Sequence, residues 1–584
     1  MFILAALMGA AVAFTASSLN YLLAHFVNIF KMNWFPTVRE LTLALVRAPS
    51  VTESDGESNF AAHVKQLLLK QPYFQANPQQ IQLLRTQHDF RERYVICALV
   101  RGSGSQTVLL TGHYDTVSTA NYGALEAWAT DPEALLPRQI DELQQHAASA
   151  SDLAALHDLQ GGDYLPGRGT LDMKSGLAVG LALLQHFAEQ PDRHGNLLFA
   201  AVCDEENYSH GMRSALTQLP ALAAQWGLDL QAAISLDAGL NNPDGSEARS
   251  IYLGSVGKFL PTAFFVGRPT HAGAPFDGIN ANLLSSEFVR LCEAGDALAD
   301  PSPTLGEMPP APVCLQQLDL KGYYDVTTPS AAWCAFNVLT YSATPAELLA
   351  RLHTAAAQAM TNAITHMQQR AKRYAQQSGI ATQLNCGAAQ VFTFEQLTAL
   401  AQQRSGANWA AVANEIAQHA ADMTLNALSV SRTITARLVQ AAQLQGAAAI
   451  VGFAPVYYPV ALLNSSSGAT RLRHIVEAEA AALNRAQNAG IHLQHFIPGI
   501  ADMSFFGTQM GNSHDNAAIM PKLTPGWAAR WWMPDPSQAL QLPSVNIGPC
   551  GRDYHQRTER VYMPYSFGIL PELVWRISLA LLKN

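Results

Sequence analysis

Thr107-Val108-Leu109-Leu110-Thr111-Gly112-His113-Tyr114-Asp115 is an apolar run that ends on a histidine and a carboxylate. Two further runs end the same way. Asn196 to Val202 leads into Asp204-Glu205-Glu206, and Ala232 to Leu236 leads into Asp237. A fourth acid, Asp172, follows a Gly-rich turn, Pro166-Gly167-Arg168-Gly169-Thr170-Leu171, and opens an apolar helical pattern. Short apolar runs bounded by turns read as buried strands. Alternation with helical patterns implies βαβ units and a mainly parallel sheet, an α/β fold. In such sheets ligands bind at the carboxyl ends of the strands. Acids gathered there repel one another and are costly to bury, and a divalent cation offsets that cost most simply.

The rest of the chain is consistent with a large enzyme. Its 584 residues exceed what one core organises, so two or more domains are expected. The formal net charge of -9 and the lack of any Lys/Arg run argue against a nucleic-acid partner. Seven cysteines stand far apart with no C-x-x-C pair, which reads as reduced thiols in a cytoplasmic protein.

Met1 to Phe30 contains no Asp, Glu, Lys or Arg. Three readings of residues 1–31 stay open: a segment not translated if synthesis starts at Met32, or a loosely packed helix; a membrane anchor with Lys31, Arg39 and Arg47 on the cytoplasmic side; and, least fitting, a secretory signal.

Along the chain, Tyr94 to Val100 is another strand, and residues 120–160 read as a surface helical insertion. The pattern changes near Ile251, where β-rich segments, a helix from Asn282 and a strand from Trp333 suggest a smaller inserted α+β domain. Its expected end is near residue 395. Ala447 to Phe453, Ile491 to Phe496 and Val545 to Ile547 then read as a return to the first domain. The expected division is therefore 1–31, 32–250, an inserted 251–395, and 396–584. The stretch 505–542, with His514, Trp527, Arg530, Trp531 and Trp532, is a long loop that either lines a pocket or holds the structure together.

Five motifs in order resemble those of the M20 metallopeptidase family. They are Gly112-His113-Tyr114-Asp115-Thr116-Val117; Gly167 to Gly176 around Asp172; Asp204-Glu205-Glu206; His271-Ala272-Gly273-Ala274-Pro275 with Gly278, Asn280 and Ala281; and Gly548-Pro549-Cys550-Gly551 leading to His555 and Glu559. Details around Asp204 to Gly211 and Tyr554 to Val561 are most similar to the family's arginine-utilisation branch.

The resemblance implies a zinc-aminopeptidase-like (phosphorylase/hydrolase-like) catalytic domain with an inserted lid, often a dimer contact. It implies two divalent metal ions, zinc first and cobalt or manganese as alternatives. Asp172 would bridge them, His113 and Asp237 completing one site and Glu206 and His555 the other. Asp115 would accept the other N–H of His113 and fix its tautomer. Glu205, beside a ligand, would serve as general base, and His271 would stabilise the oxyanion. The implied activity is hydrolysis of an amide bond in a peptide, dipeptide or N-acyl amino acid, in amino-acid catabolism. A deacylase with a non-peptide substrate and a non-catalytic, membrane-associated binding protein are the alternatives.

Singly, these residues have plainer readings: a hydrogen-bonded core histidine, a helix N-cap at Asp172, a solvated helix start at Glu205-Glu206, and a packing role for His210. One departure from the family stands out. Many relatives end a lid strand on an arginine that binds a substrate carboxylate, whereas Ala332 to Val338 carries Asn337 there.

Overall fold

The computed structural model describes residues 33–239, 249–301, 308–497, 499–507, 513–535 and 537–583. The apolar segment 1–31 lies outside them.

An eight-stranded mixed sheet organises the first domain. Its spatial order is Ile81–Arg85, Tyr94–Arg101, His194–Val202, Ser103–His113, Asp229–Ser235, Ser544–Asn546, Ser250–Tyr252 and His492–Gln494. The four strands from His194–Val202 to Ser544–Asn546 run parallel. These strands carry continuous apolar runs because both faces are covered. Leu197, Phe199 and Ala201 point into a core with the helices Trp34–Val46, Ser175–Glu189 and Leu570–Leu582. Leu198, Ala200 and Val202 point into the opposite core, against the helix His210–Trp226. Pro564–Leu582 is, among the described residues, the one helix long and apolar enough to cross a membrane, and 72% of its apolar window is buried. It packs as a core helix.

The second sheet has the order Val313–Asp319, Ala331–Thr340, Pro261–Val266, Ala448–Phe453 and Gln390–Thr393. This corrects the expected boundary at residue 395. Ala448–Phe453 pairs antiparallel with Pro261–Val266 and does not return to the first sheet. The helices Phe394–Ser405 and Ala427–Ala441 bury Leu397, Ile434 and Leu438 against the same strands, so the inserted domain continues past residue 450. A fully apolar strand carries no mark of which sheet it joins, and the error has that source. Ile491 to Phe496 and Val545 to Ile547 do supply strands to the first sheet.

The stretch 505–542 is more ordered than a loop. It contains the helices Ser513–Leu523 and Trp527–Arg530. Trp527 and Trp531 are buried, with Trp531 packed near Tyr458, Phe505 and Tyr208. Arg530 donates to the carbonyls of Ala420 and Asp422. These residues tie the inserted domain to the first. The side chain of His514 lies outside the described residues. All seven cysteines are free thiols, and all but Cys314 are buried.

Candidate metal centre

The strand Ser103–His113 delivers His113 at its carboxyl end, where the sheet stops. Parallel pairing puts His113 beside Val202, so the turn after His194–Val202 begins at the same edge. Asp237 follows Asp229–Ser235 two residues beyond that strand's end. Gly548 lets the Ser544–Asn546 segment press against it: a Cβ at Gly548 would fall 1.8 Å from the Asp237 carbonyl oxygen. A separate small sheet joins Tyr164–Pro166, Arg560–Tyr562 and Gly551–Arg552. It sets the His555 turn against the Asp172 turn.

The result is a shared carboxylate. Asp172 Oδ1 lies 3.1 Å from His113 Nε2, and Asp172 Oδ2 lies 3.1 Å from His555 Nε2. Asp237 Oδ1 is 3.6 Å from His113 Nε2, and Glu206 Oε1 is 3.2 Å from His555 Nε2. His113, Asp172 and Asp237 form one group able to hold a metal ion, and Asp172, Glu206 and His555 form a second. Glu205 Oε2 stands 3.9 Å from His113 Nε2.

The electrostatics fit the same reading. Burial pushes the carboxyls of Glu205, Glu206 and Asp237 above their ordinary range, Glu205 well above it, and neighbouring acids add to the shift. Burial would raise Asp172 too, yet hydrogen bonds from His113 and His555 hold it below the usual carboxylate range. Hydrogen bonds to Asp172 and Glu206 lift His555 to about 10. His113 is raised against its own burial by Asp115, Asp172 and Asp237. Protons thus stand where four carboxylates call for positive charge, and divalent cations would displace them. Buried Glu206 Oε1 lies against His555 Nε2 at 3.2 Å, an acceptor facing a ring nitrogen across a gap that a shared cation would satisfy.

Asp115 works differently from the expectation. Its main-chain carbonyl, 3.1 Å from His113 Nδ1, is the hydrogen-bond acceptor, while the carboxylate oxygen Oδ1 is 3.6 Å away. That carboxylate instead accepts the N–H groups of Glu205 and Glu206, at 3.1 and 3.2 Å, and the Thr52 hydroxyl. It fixes the glutamate turn directly and the histidine through its own backbone.

Two buried networks, not anticipated from the sequence, hold the turns. Arg93 Nη1 donates to Glu57 and, at 2.8 Å, to Asp204, while its Nε donates to Asp89; all four side chains are fully buried. Asp204 adopts a left-handed backbone conformation (φ 67°) and accepts from His210 N and Nδ1. His210 therefore packs behind the glutamate pair. On the other side, Glu559 pairs with buried Arg168 and accepts the N–H groups of Gly169, Leu171 and Asp172. Arg168 and Asn121 both donate to the His555 carbonyl. The insertion reaches this segment as well: Arg557 pairs with Glu142 and Asp152, and Arg560 with Asp158. The motifs contain Arg168, Asp204 and Glu559, whereas Arg93, Glu57 and Asp89 lie outside them and are brought in by the fold.

His271 does not converge on the six side chains. It is exposed on the inserted domain, and among the described residues its ring bonds within its own turn, Nδ1 accepting from Gly273 N at 3.0 Å.

A two-domain α/β scaffold with this donor set at its sheet edge is that of a metal-dependent hydrolase. The model of peptidase family M20/M25/M40 matches residues 109–518, and the chain belongs to that family. It is 32% identical over 560 residues to the uncharacterized protein YqjN of Bacillus subtilis (strain 168), covering 95% of this chain and 98% of that one. It is 30% identical over 571 residues to the protein RocB of the same organism, covering 96% and 97%. A shorter likeness, 30% over 191 residues, links it to a succinyl-diaminopimelate desuccinylase of Pseudomonas syringae pv. tomato (strain ATCC BAA-871 / DC3000), covering 32% of this chain and 39% of that one. Among solved structures, the di-peptidase Dug1p of Saccharomyces cerevisiae aligns over 94% of this chain and 98% of its own, with 10% identity and a TM-score of 0.48.

Proposed function

We propose that this protein hydrolyses an amide bond of a small peptide, dipeptide or N-acyl amino acid at a site for two divalent cations, zinc first among the candidates. The observation that carries the reading is the division of one carboxylate, Asp172, between two histidines from distant segments. His113 and Asp237 would hold one cation, Glu206 and His555 the other, and Asp172 both. When bound, the pair would acidify a water and polarise the scissile carbonyl.

Glu205 adjoins this site without belonging to either group, and its raised proton affinity suits it to take the proton from water and return it to the leaving amine. Asp115 would orient the glutamate turn. His271 is proposed to stabilise the developing oxyanion, which requires closure of the inserted domain or a second copy of the chain.

The likeness to the desuccinylase supports a second reading, removal of an acyl group from an amine that is not part of a peptide. Resemblance to the arginine-utilisation branch supports amino-acid catabolism as the setting, and free buried thiols suit the cytoplasm. A panel of dipeptides and N-acyl amino acids, assayed with zinc, cobalt or manganese and with Glu205→Gln as control, tests the proposal. Hydrolysis by the metal-loaded chain that is lost in the variant supports it, and no metal-dependent hydrolysis across the panel overturns it.

A further inference from the structure

His555 sits in the loop between the short strands Gly551–Arg552 and Arg560–Tyr562. Asp553 and His555 both take left-handed backbone conformations there, φ 60° and 58°, which are uncommon for residues with a Cβ. The His555 side chain is 47% exposed, against 2% for His113 at the end of a central strand. Neither a strand nor burial fixes His555, so bonds to the main chain of its loop must place it.

Those bonds come largely from residues 120–161, the segment comprising Ala120–Trp128, Pro132–His146 and Ala150–Gly161. Asn121 Nδ2 donates to the His555 carbonyl at 2.7 Å. Asn121 Oδ1 accepts from Arg168 Nη2 at 3.0 Å, and the same Nη2 donates to the His555 carbonyl at 3.1 Å, which closes a triangle. Buried Gln139 donates to the Arg557 carbonyl at 2.6 Å, and the Ser151 hydroxyl to the Asp553 carboxylate at 3.4 Å. With the ion pairs of Arg557 and Arg560, one segment grips the loop at residues 553, 555, 557 and 560.

The segment is built to hold its shape. Leu143, Ala155 and Leu159 form a small core with Tyr164, and Tyr122, Ala129 and Leu135 form another. The Tyr122 ring lies 5.3 Å from the Arg168 guanidinium, which anchors Asn121 through its neighbour. The other donor group is held differently. His113 Nδ1 lies against the Asp115 carbonyl, and Asn546 donates to the Asp237 carbonyl at 2.8 Å.

We infer that residues 120–161 clamp the His555 loop, with Asn121 as a positioning residue, and that the clamp sets the affinity of the cation assigned to Glu206 and His555 independently of the one assigned to His113 and Asp237. The inference rests on the two-cation reading above.

The test titrates cobalt(II) calorimetrically into the metal-free full chain and follows hydrogen exchange of residues 553–559 by mass spectrometry. It compares the wild type with Asn121→Ala and Asn121→Asp, and His555→Ala marks which binding step belongs to the second group. Asn121→Asp keeps an acceptor for Arg168 but cannot donate to the His555 carbonyl. In both Asn121 variants the step missing from His555→Ala should weaken about 10–100-fold while the other stays within about threefold. Exchange of residues 553–559 should quicken at an unchanged melting temperature, since Asn121 is exposed. Equal weakening of both steps overturns the inference, because it marks a general loss of structure, and so does weakening of neither. Wild-type affinity in Asn121→Asp overturns the role of the bond to His555. If the wild type takes up no cobalt, the two-cation reading falls and exchange alone decides: faster exchange in Asn121→Ala upholds the clamp, and unchanged exchange overturns it.

Discussion

Asp172 Oδ2 and His555 Nε2 lie 3.1 Å apart although 383 positions separate the two residues. The contact exists because the strand pairing of Tyr164–Pro166 with Arg560–Tyr562 brings the two turns together. With Oδ1 turned to His113, the same carboxylate belongs to both donor groups. Replacing Asp172 with Ala should therefore remove both metals rather than one. Elemental analysis of the purified variant is expected to give less than a tenth of the wild-type zinc content, and unchanged content would contradict the bridging role.

Glu559 should act through the geometry of Asp172. It accepts the Asp172 N–H at 3.4 Å and neutralises buried Arg168. Glu559→Gln keeps an acceptor but leaves Arg168 buried without its counter-charge, a loss of about 3–5 kcal/mol. Metal affinity should fall about 10–100-fold, as it does when groups that orient ligands are removed. Urea unfolding and competition with a chelator measure the two effects separately.

The two arginines that link the insertion to the His555 segment should differ in cost. Arg560 is 1% exposed and pairs with Asp158 and Asp553, whereas Arg557 is about one-third exposed. Arg560→Ala should cost about 3 kcal/mol, because it removes a fully buried guanidinium and leaves buried Asp158 with Arg552, at 3.4 Å, as its remaining cation. Arg557→Ala, in solvent-screened pairs, should cost about 1 kcal/mol or less. Equal losses in chemical denaturation would show that exposure does not set the cost here.

Acid should weaken the fold through Asp204. Burial opposes its charge, but hydrogen bonds from His210 and the adjacent Arg93 hold its carboxyl below the usual range. A carboxyl depressed in the folded state stabilises fully above its unfolded value, about 3.9, and loses that contribution as pH falls through the folded value. Asp204→Asn should therefore lower the melting temperature at pH 6 and narrow the gap to the wild type near pH 3. A gap that stays constant would exclude this carboxylate from acid unfolding.

The sequence made the site more legible than the domain plan. His113, Asp172, Glu205, Glu206, Asp237 and His555 follow recognisable turns or strand ends, the edge at which an open α/β sheet gathers its functional side chains. The partner strands of Ala448–Phe453 were not legible, since Ala, Ile and Val fit either sheet equally well. Arg93 carries no mark in the sequence, and Arg168, though inside the second motif, shows its pairing with Glu559 only once the chain is folded. The Asp115 carboxylate holds the glutamate turn, and only the three-dimensional path of residues 202–206 reveals that.

The most direct test of the account is metal content measured together with turnover, in the wild type and in Glu205→Gln. The account predicts two divalent ions per chain in both proteins, amide hydrolysis by the wild type, and loss of at least about a hundredfold in kcat in the variant. A wild-type chain that binds no stoichiometric metal, or a variant that turns over at the wild-type rate, would contradict it.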